Sequence, residues 1–255
     1  MSVTNLDGGS SAANPPRPVP GDKRLFFLDA PGGTGKTFFT NCLRDFAVSR
    51  GKKVLMVATS AVAAGLMNKG TTAHSALKIP IPCYEDSTCH FSPESALGKK
   101  LMEYDVIVWD EVVMAHRHAI EAAERSLRDL MNNAFPFGGK VVVLSGDFRQ
   151  ILPVIPGGSR PQIVNACFKS SGLYSKCQMM QLTENMRLRA LLQDPNASPE
   201  SLQYPNFLLQ VGEGRYPREE DGRIKLPDYL HVYDSLKALC DAMFPPITTN
   251  YRNTA

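Results

Sequence analysis

The sequence predicts an α/β fold in which a parallel sheet is covered by helices on both faces. Four short, uninterrupted apolar runs have the pattern of strands buried on both sides: Leu25–Leu28, Val54–Ala58, Val106–Trp109 and Val141–Leu144. Helical segments separate these runs, and strands that alternate with helices form parallel sheets. Polar motifs follow the runs, at the carboxyl ends of the strands, where ligands bind in such sheets.

The segments between and after the runs predict helices and one further strand. Helical patterns occupy four segments: Phe38–Arg50, Ala61–Asn68, Ser95–Glu103 and Arg117–Asn132. A weaker strand candidate is Met179–Leu182. Residues 79–94 combine prolines, cysteines and polar side chains, which predicts an irregular insertion.

We expect the chain to consist of three parts. Residues 1–22 are rich in Ser, Pro, Gly and Asn and predict a disordered N-terminal segment. Residues 23–190 contain the strand and helix alternation and form the main domain. Residues 191–255 form a C-terminal extension.

The composition is that of a globular protein with a substantial core, since 43% of residues are hydrophobic and 21% are charged. A net charge of +3 does not itself indicate a nucleic-acid binder. A local basic groove is sufficient to follow a phosphate backbone, so this class of function stays open. No stretch approaches the roughly 18 to 20 apolar residues of a membrane helix, and the N-terminus lacks a signal-peptide pattern.

The six cysteines show no spacing typical of a disulfide framework and are expected to be reduced thiols. Cys83, Cys89 and His90 come nearest to a metal cluster. Their spacing fits no common zinc pattern and a fourth ligand is missing, so incidental thiols are the better interpretation.

A glycine-rich loop between the first strand and the first helix has the pattern of a phosphate-binding P-loop. It comprises Ala30, Pro31, Gly32, Gly33, Thr34, Gly35, Lys36 and Thr37. The glycines let backbone N–H groups approach phosphates, and the following helix adds its positive N-terminal end. Lys36 can reach the β- and γ-phosphates of a nucleotide, and the Thr37 hydroxyl can bind Mg²⁺. The alternative is a glycine-rich turn with a chance lysine.

Asp110 and Glu111 follow the third apolar run. An aspartate at the end of a buried strand can hold Mg²⁺, and the adjacent glutamate can orient and deprotonate an attacking water. An acidic pair in this position also serves as a helix cap in many proteins. Downstream of a P-loop, the second carboxylate favours hydrolysis over simple nucleotide binding.

Two further polar motifs follow strands. In Gly146–Gln150, the Gln150 side chain could sense a γ-phosphate, and Arg149 could face phosphate or a partner domain. Thr183–Arg187 is a similar charged turn. Taken alone, either motif could equally be a solvated turn at the end of a strand.

Together these stretches resemble the PIF-type DNA helicases of superfamily one, especially the helicase region of Helitron transposons. The resemblance covers roughly residues 24 to 245. Its carrying segments are Ala30–Thr37, Thr59–Leu66, TTAHSAL at 71–77, WDEVVM at 109–114, GDFRQILPV at 146–154 and LTENMRL at 182–188. The sequence GDFRQILPV, in order with the other segments, is highly specific, whereas the P-loop alone is not.

The resemblance implies a RecA-like P-loop NTPase that hydrolyses ATP to move 5′ to 3′ on single-stranded DNA, with Mg²⁺ as its cofactor. It implies roles in DNA repair, recombination and telomere maintenance, or in transposon replication. We expect a nuclear location, with a mitochondrial one as the alternative.

The resemblance also implies roles for individual residues. Lys36, Glu111, Gln150 and Arg187 would be catalytic, and Thr37 and Asp110 would bind the metal. Gln150 and Arg187 would contact the γ-phosphate. Thr59, Ser60, Thr72 and His74 would line the DNA path. A capped loop histidine is the competing interpretation for His74.

Two departures from the family pattern lead to further expectations. The glutamine-bearing segment that reads adenine is missing before the first strand, and the chain ends where a second motor domain should begin. Such a domain would supply an arginine, and in related phosphoryl-transfer sites such an arginine raises kcat by a factor of about 10³ to 10⁵. We therefore expect a truncated form with weak or no unwinding alone, which a second motor domain from a longer form would complement.

Two other functions compete with the helicase interpretation. The first is an ATP- and DNA-binding module with feeble turnover, derived from a transposon helicase. The second is a P-loop kinase, which predicts an arginine-rich lid over the phosphates. Arg187 and Arg189 are weak candidates for such a lid, and a kinase leaves GDFRQILPV unexplained.

Overall fold

The four apolar runs form parallel strands of one six-stranded sheet in the computed structural model, which describes residues 24–195 and 197–244. Its strands are β1 (Leu25–Asp29), β2 (Val54–Ala58), β3 (Thr71–Thr72), β4 (Val106–Asp110), β5 (Val141–Gly146) and β6 (Gln178–Gln181). The order across the sheet is β3-β2-β4-β5-β1-β6, and every pair is parallel. The carboxyl ends of all six strands therefore meet along one edge, here called the carboxyl edge.

Helices connect the strands. The α-helices are α1 (Lys36–Ser49), α2 (Ala61–Leu66), α3 (Ala73–Leu77), α4 (Ala96–Glu103), α5 (Arg117–Leu130), α6 (Arg160–Ala166), α7 (Met186–Gln193), α8 (Pro199–Gly212) and α9 (Leu236–Met243). Helix α1 begins at the P-loop lysine because Gly35, at φ 83°, turns the chain into the helix.

Each face of the sheet has its own core because successive strand residues point to opposite sides. Alternate residues such as Phe27 and Trp109 pack against apolar side chains of α3, α4 and α5. The intervening residues, such as Val108 and Val143, pack against α1 and α2. This two-sided burial explains why the central strands have no polar alternation, and it confirms the predicted fold class.

The structure adds elements that the sequence pattern did not reveal and shifts others. Strand β3 is only two residues long and consists of threonines, so it carries no apolar run. Strand β6 begins one residue earlier than predicted, at Gln178, which pairs with Phe26. Residues 79–94 contain neither helix nor strand. The segment expected to be disordered, 1–22, lies outside the described residues.

The described part of the chain divides into two compact units, with the boundary between Gln193 and Asp194. The first unit contains the sheet and helices α1 to α7. In the second unit, α8 packs Phe207 edge-on against Tyr216, with ring centroids 5.0 Å apart. Across the described parts of both units, no helix combines the length and apolarity needed to cross a bilayer.

Candidate active site

The P-loop is shaped by hydrogen bonds within the loop and by its glycines. The Thr34 amide and hydroxyl both donate to the Pro31 carbonyl, at 3.2 and 2.7 Å. Gly33 and Gly35 adopt φ of 86° and 83°, a region that L side chains avoid. Gly35 caps α1 without any side chain, so the first-turn N–H groups of this helix face the loop. The loop therefore has the geometry of an anion cradle.

Lys36 lies between the two acidic residues that follow β4. Its Nζ is 2.9 Å from Asp110 Oδ1 and also pairs with Glu111 Oε1. Burial alone would lower the pKa of Lys36, but the charges of Asp110 and Glu111 and their hydrogen bonds raise it above its ordinary value of 10.5. The lysine is therefore charged at neutral pH, and one cation is shared by two carboxylates at the carboxyl edge.

The Asp110 carboxylate is fixed from three directions. Besides Lys36, the Ser145 hydroxyl of β5 and the backbone amide of Glu111 each donate to Oδ1 at 2.8 Å. The residue is only 2% exposed. This rigid and desolvated carboxylate keeps its orientation, which a metal ligand requires.

Glu111 has an unusual backbone and an unpaired oxygen. It adopts a left-handed conformation, φ 52° and ψ 36°, which is uncommon for a residue with a side chain and concentrates at functional sites. Within the described part of the chain, its Oε2 is buried without a hydrogen-bond partner. Buried polar atoms are normally paired, so this oxygen is suited to accept a hydrogen bond from a ligand or a water.

The oxygen ligands near Lys36 fit Mg²⁺. Asp110 and the Thr37 hydroxyl offer hard oxygen donors, and the carboxylate pair already attracts the Lys36 cation. No group of three or more His, Cys, Asp or Glu side chains suited to a metal occurs among the residues that the structure describes. Mg²⁺ characteristically uses one or two carboxylates together with waters and substrate phosphates. A set of protein ligands as small as Asp110 and Thr37 is therefore compatible with Mg²⁺.

Gln150 lies next to the P-loop. Its Nε2 is 3.8 Å from the position that a Cβ on Gly32 would occupy, and it donates to Asp147 Oδ2 at 3.2 Å. Arg149 pairs with Asp147 at 2.8 Å and with Asp29 at 3.4 Å. The two neighbouring side chains thus have different partners beyond the shared Asp147.

The start of α7 and the residue before it contact the P-loop. The amide of Met186 donates to the Gly33 carbonyl at 2.9 Å. Asn185 Oδ1 accepts from the amides of Arg187 and Leu188, both at 3.1 Å. A Cβ on Gly33 would lie 2.6 Å from Asn185 Oδ1 and 3.3 Å from Arg187 Cδ. The structure therefore brings Arg187, which is exposed, next to the loop.

The four candidate DNA-contacting residues lie at the ends of β2 and β3, and three of their side chains have hydrogen-bond partners. Thr59 Oγ1 accepts from Trp109 Nε1 at 3.1 Å. The Ser60 hydroxyl caps α2 and the Thr72 hydroxyl caps α3. His74 is half-buried, and this burial lowers its pKa below 6.5.

A family model described as PIF1-like helicase matches residues 19–222, four fifths of the chain. The chain belongs to the PIF1-like helicase family. The resemblance to PIF-type helicases inferred from the sequence motifs is thereby confirmed.

Individual PIF1 relatives match over shorter stretches. The ATP-dependent DNA helicase Pif1 of Psychrobacter is 34% identical over 136 residues, which are 52% of this chain and 20% of that protein. The Pif1 helicase of Bdellovibrio bacteriovorus is 28% identical over 169 residues, 64% of this chain and 36% of that protein. This PIF1-like chain thus spans only a minor part of the length of these relatives.

Solved Pif1 structures share the fold. The Bacteroides Pif1 helicase in complex with ADP-AlF3 and single-stranded DNA has a TM-score of 0.62 and 22% identity, over 77% of this chain and 44% of that chain. A second structure of Bacteroides Pif1, bound to single-stranded DNA, has a TM-score of 0.59 and 23% identity, over 76% of this chain and 44% of that chain. At this level of identity, the likeness establishes the RecA-like fold.

Sequence reasoning missed four residues that shape this PIF1-like site: Asp29, Ser145, Asp147 and Asn185. Ser145 and Asp29 are polar residues near the carboxyl ends of otherwise apolar strands, and this position could have indicated a role in the site. The role of Asp147 depends on which side chains its carboxylate reaches, and that of Asn185 on the chain turning back to the P-loop. Neither contact has a sequence signature.

Proposed function

We propose that this chain is an ATP-hydrolysing motor domain that couples ATP turnover to the binding of single-stranded DNA. One observation carries the proposal: the P-loop ammonium of Lys36 is held jointly by Asp110 and Glu111, at the carboxyl end of β4. The relatives that match are named ATP-dependent DNA helicases, which agrees with this chemistry.

In the proposed reaction, Lys36 leaves the carboxylates and donates to the β- and γ-phosphates of ATP in the P-loop. Glu111 is then free to accept a proton from a water as the water oxygen attacks the γ-phosphorus. The bond from the γ-phosphorus to the bridging oxygen breaks, and ADP and phosphate leave. Gln150 and Arg187 donate to the γ-phosphate oxygens.

Thr37 and Asp110 would hold Mg²⁺, which neutralises charge on the phosphate oxygens when it is bound. Ser145 and the Glu111 amide keep the Asp110 carboxylate oriented for this role. Because Asp110 is almost completely buried, its orientation is maintained while Lys36 moves toward the phosphates.

The DNA partner is proposed to run across the ends of β2 and β3, past Thr59, Ser60, Thr72 and His74. These two strands are neighbours, with Ala58 paired to Thr72, so the four residues form one surface region. Movement from 5′ to 3′, and service in repair, recombination and telomere maintenance or in transposon replication, are supported by the motif resemblance. A nuclear location has the same support.

Weak or absent unwinding by the 255-residue chain is also part of the proposal. A stepping motor closes two domains on ATP, and the described residues contain a single nucleotide-binding sheet. We expect the purified chain to hydrolyse ATP slowly and to separate little or no duplex. Efficient unwinding by this chain alone would refute this part.

The test is ATP turnover by the purified chain, with Lys36→Ala as the inactive variant and Lys53→Ala as the matched control. Lys53 lies at the opposite edge of the sheet and makes an exposed ion pair with Glu103. We expect turnover to disappear in Lys36→Ala and to persist in Lys53→Ala. If the wild-type chain binds nucleotide but turns over no faster than Lys36→Ala, the chain is a binding module with feeble catalysis.

A further inference from the structure

A continuous series of polar contacts joins the end of β1 to Gln150. Asp29 is the last residue of β1, directly before the P-loop, and its carboxylate faces both terminal nitrogens of Arg149, at 3.5 and 3.4 Å. Arg149 Nη1 also donates to Asp147 Oδ1 at 2.8 Å. The other oxygen of Asp147 accepts from Gln150 Nε2 at 3.2 Å. The series reaches from one side of the P-loop to the amide that lies over Gly32.

Asp147 determines which end of the Gln150 amide faces it. An ionised carboxylate only accepts hydrogen bonds, so the neighbouring group must be a donor, which places Nε2 rather than Oε1 beside Asp147. Asp147 is 3% exposed, and its Oδ1 also accepts from the Arg149 amide at 3.0 Å. A buried carboxylate held from several sides cannot rotate freely, and this fixes the Gln150 nitrogen near the loop.

Arg149 is suited to join two carboxylates because its planar guanidinium presents several donors in a fixed fork. Its side chain is 21% exposed, and those of Asp147 and Asp29 are 4% and 25% exposed. The backbone between them has an independent anchor: the Phe148 ring stacks on Phe27 at 5.2 Å and meets Tyr174 edge-on at 5.9 Å. Removal of the fork therefore leaves the segment attached to the core.

We propose that Asp29, Arg149 and Asp147 are positioning residues that set the Gln150 amide for sensing the third phosphate of the nucleotide. This inference rests on the proposed ATP-binding function of the P-loop. In this proposal Arg149 acts through Asp147, the carboxylate that it shares with Gln150. The Gln150 amide thereby distinguishes a nucleoside triphosphate from a diphosphate, and the position of this amide depends on Asp29 at the end of β1.

The experiment compares the affinity of the purified chain for the non-hydrolysable analogue AMP-PNP and for ADP, by competition with a fluorescent ADP. The variants are Arg149→Lys, which keeps the charge but not the fork, and Asp147→Asn, which places a donor where only an acceptor fits. Arg117→Lys is the matched control, because Arg117 has a side chain 19% exposed that pairs with Glu121 on α5. Thermal unfolding verifies that each variant is folded.

We expect the preference for AMP-PNP over ADP to fall by about tenfold or more in both variants, the range of one charge-assisted hydrogen bond, while ADP affinity changes by less than about twofold. In turnover, KM for ATP should rise by a similar factor, because KM approaches the dissociation constant when turnover is slow, and kcat should fall as well. Arg117→Lys should match the wild type. If Asp147→Asn does not fold, Arg149→Lys alone decides the outcome.

Three results would overturn the inference. The first is an unchanged preference in folded Arg149→Lys. The second is an equal loss of AMP-PNP and ADP affinity, which would indicate general damage to the P-loop. The third is equal affinity of the wild-type chain for AMP-PNP and ADP, a result that would leave the proposed nucleotide binding in place. Failure of the wild-type chain to bind either nucleotide would overturn the proposed function as well.

Discussion

The two halves of the carboxyl edge use polar side chains differently. At β1, β4 and β5, side chains from separate elements contact one another, as Lys36 does with Asp110 and Glu111. At β2 and β3, the Ser60 and Thr72 hydroxyls bond to amides three residues along their own chain segments. The first half is assembled through contacts between distant chain segments, whereas the second combines two local caps with the contact between Thr59 and Trp109.

This difference shows what each half can do without a ligand. In the half formed by β1, β4 and β5, Glu111 Oε2 is buried without a hydrogen-bond partner among the described residues. A ligand or a water can therefore donate a hydrogen bond to this oxygen. In the half assigned to DNA, the capping hydroxyls already have partners, and a DNA contact there must share them. We expect substitutions in the first half to change chemistry, and substitutions in the second half to change stability together with DNA affinity.

The largest expected effect is that of Glu111→Gln. Loss of the proposed general base should lower ATP turnover by about 10² to 10⁴, with nucleotide affinity nearly unchanged. Steady-state turnover and ADP binding measure the two quantities separately. Glu121→Gln, a change at a glutamate of similar exposure to solvent on α5, is the control and should keep full turnover. Full turnover in Glu111→Gln would remove this residue from the reaction.

Gly33→Ala should lower both nucleotide affinity and stability. The new Cβ would lie 2.6 Å from Asn185 Oδ1, at a backbone φ of 86°. The backbone strain alone costs about 1 to 2 kcal/mol of unfolding free energy.

Gly51→Ala provides the control for Gly33→Ala in urea unfolding, because Gly51 has a φ of 74° and nothing within 4 Å of its Cβ position. It shares the backbone strain but not the contact with Asn185. Equal destabilisation and equal nucleotide affinity in the two variants would show that the Asn185 contact with the P-loop has no effect.

Thr72→Ala tests the half assigned to DNA. Loss of the α3 cap should lower the free energy of unfolding by about 1 kcal/mol, and the affinity for single-stranded DNA should fall as well. Thr72→Ser keeps the hydroxyl and should restore both. DNA affinity can be measured by fluorescence anisotropy with a labelled oligonucleotide. An unchanged affinity in Thr72→Ala would exclude Thr72 from the DNA path while leaving its capping role intact.

The smallest expected effect concerns His74 and pH. Because burial lowers its pKa below 6.5, the folded state resists protonation more than the unfolded state does. His74 therefore costs no stability above pH 6.5, and stability is lost as the pH falls through the lowered pKa. His74→Gln should flatten this acid-side decline in urea unfolding, and His231→Gln, at an exposed position, should not. Identical pH profiles for wild type and His74→Gln would contradict the burial effect.

The central strands could be predicted because burial on both faces removes polar residues from them, as in Val106–Trp109. Strand β3 could not, since it has two residues and is defined by its pairing with β2. The same limit applies to the site. The P-loop and the acidic pair are recognisable as local patterns, whereas the Ser145 contact with Asp110 depends on the register of β4 and β5, which no local pattern specifies.

Asp29 and Asn185 show a second limit. Each contacts residues distant along the chain: Asp29 meets Arg149, and Asn185 lies against Gly33. Such contacts require the full sheet order, with β1 between β5 and β6. The order of strands across the sheet is a tertiary property, which alternating strand and helix patterns do not determine.

The most direct test of the central claim is ATP turnover by the purified chain with and without single-stranded DNA, measured beside Lys36→Ala. A site that couples the two halves of the carboxyl edge predicts turnover that DNA increases and that Lys36→Ala abolishes. Turnover indistinguishable from that of Lys36→Ala under both conditions, in a chain that still binds ADP, would contradict the account and leave a nucleotide-binding domain without coupled hydrolysis.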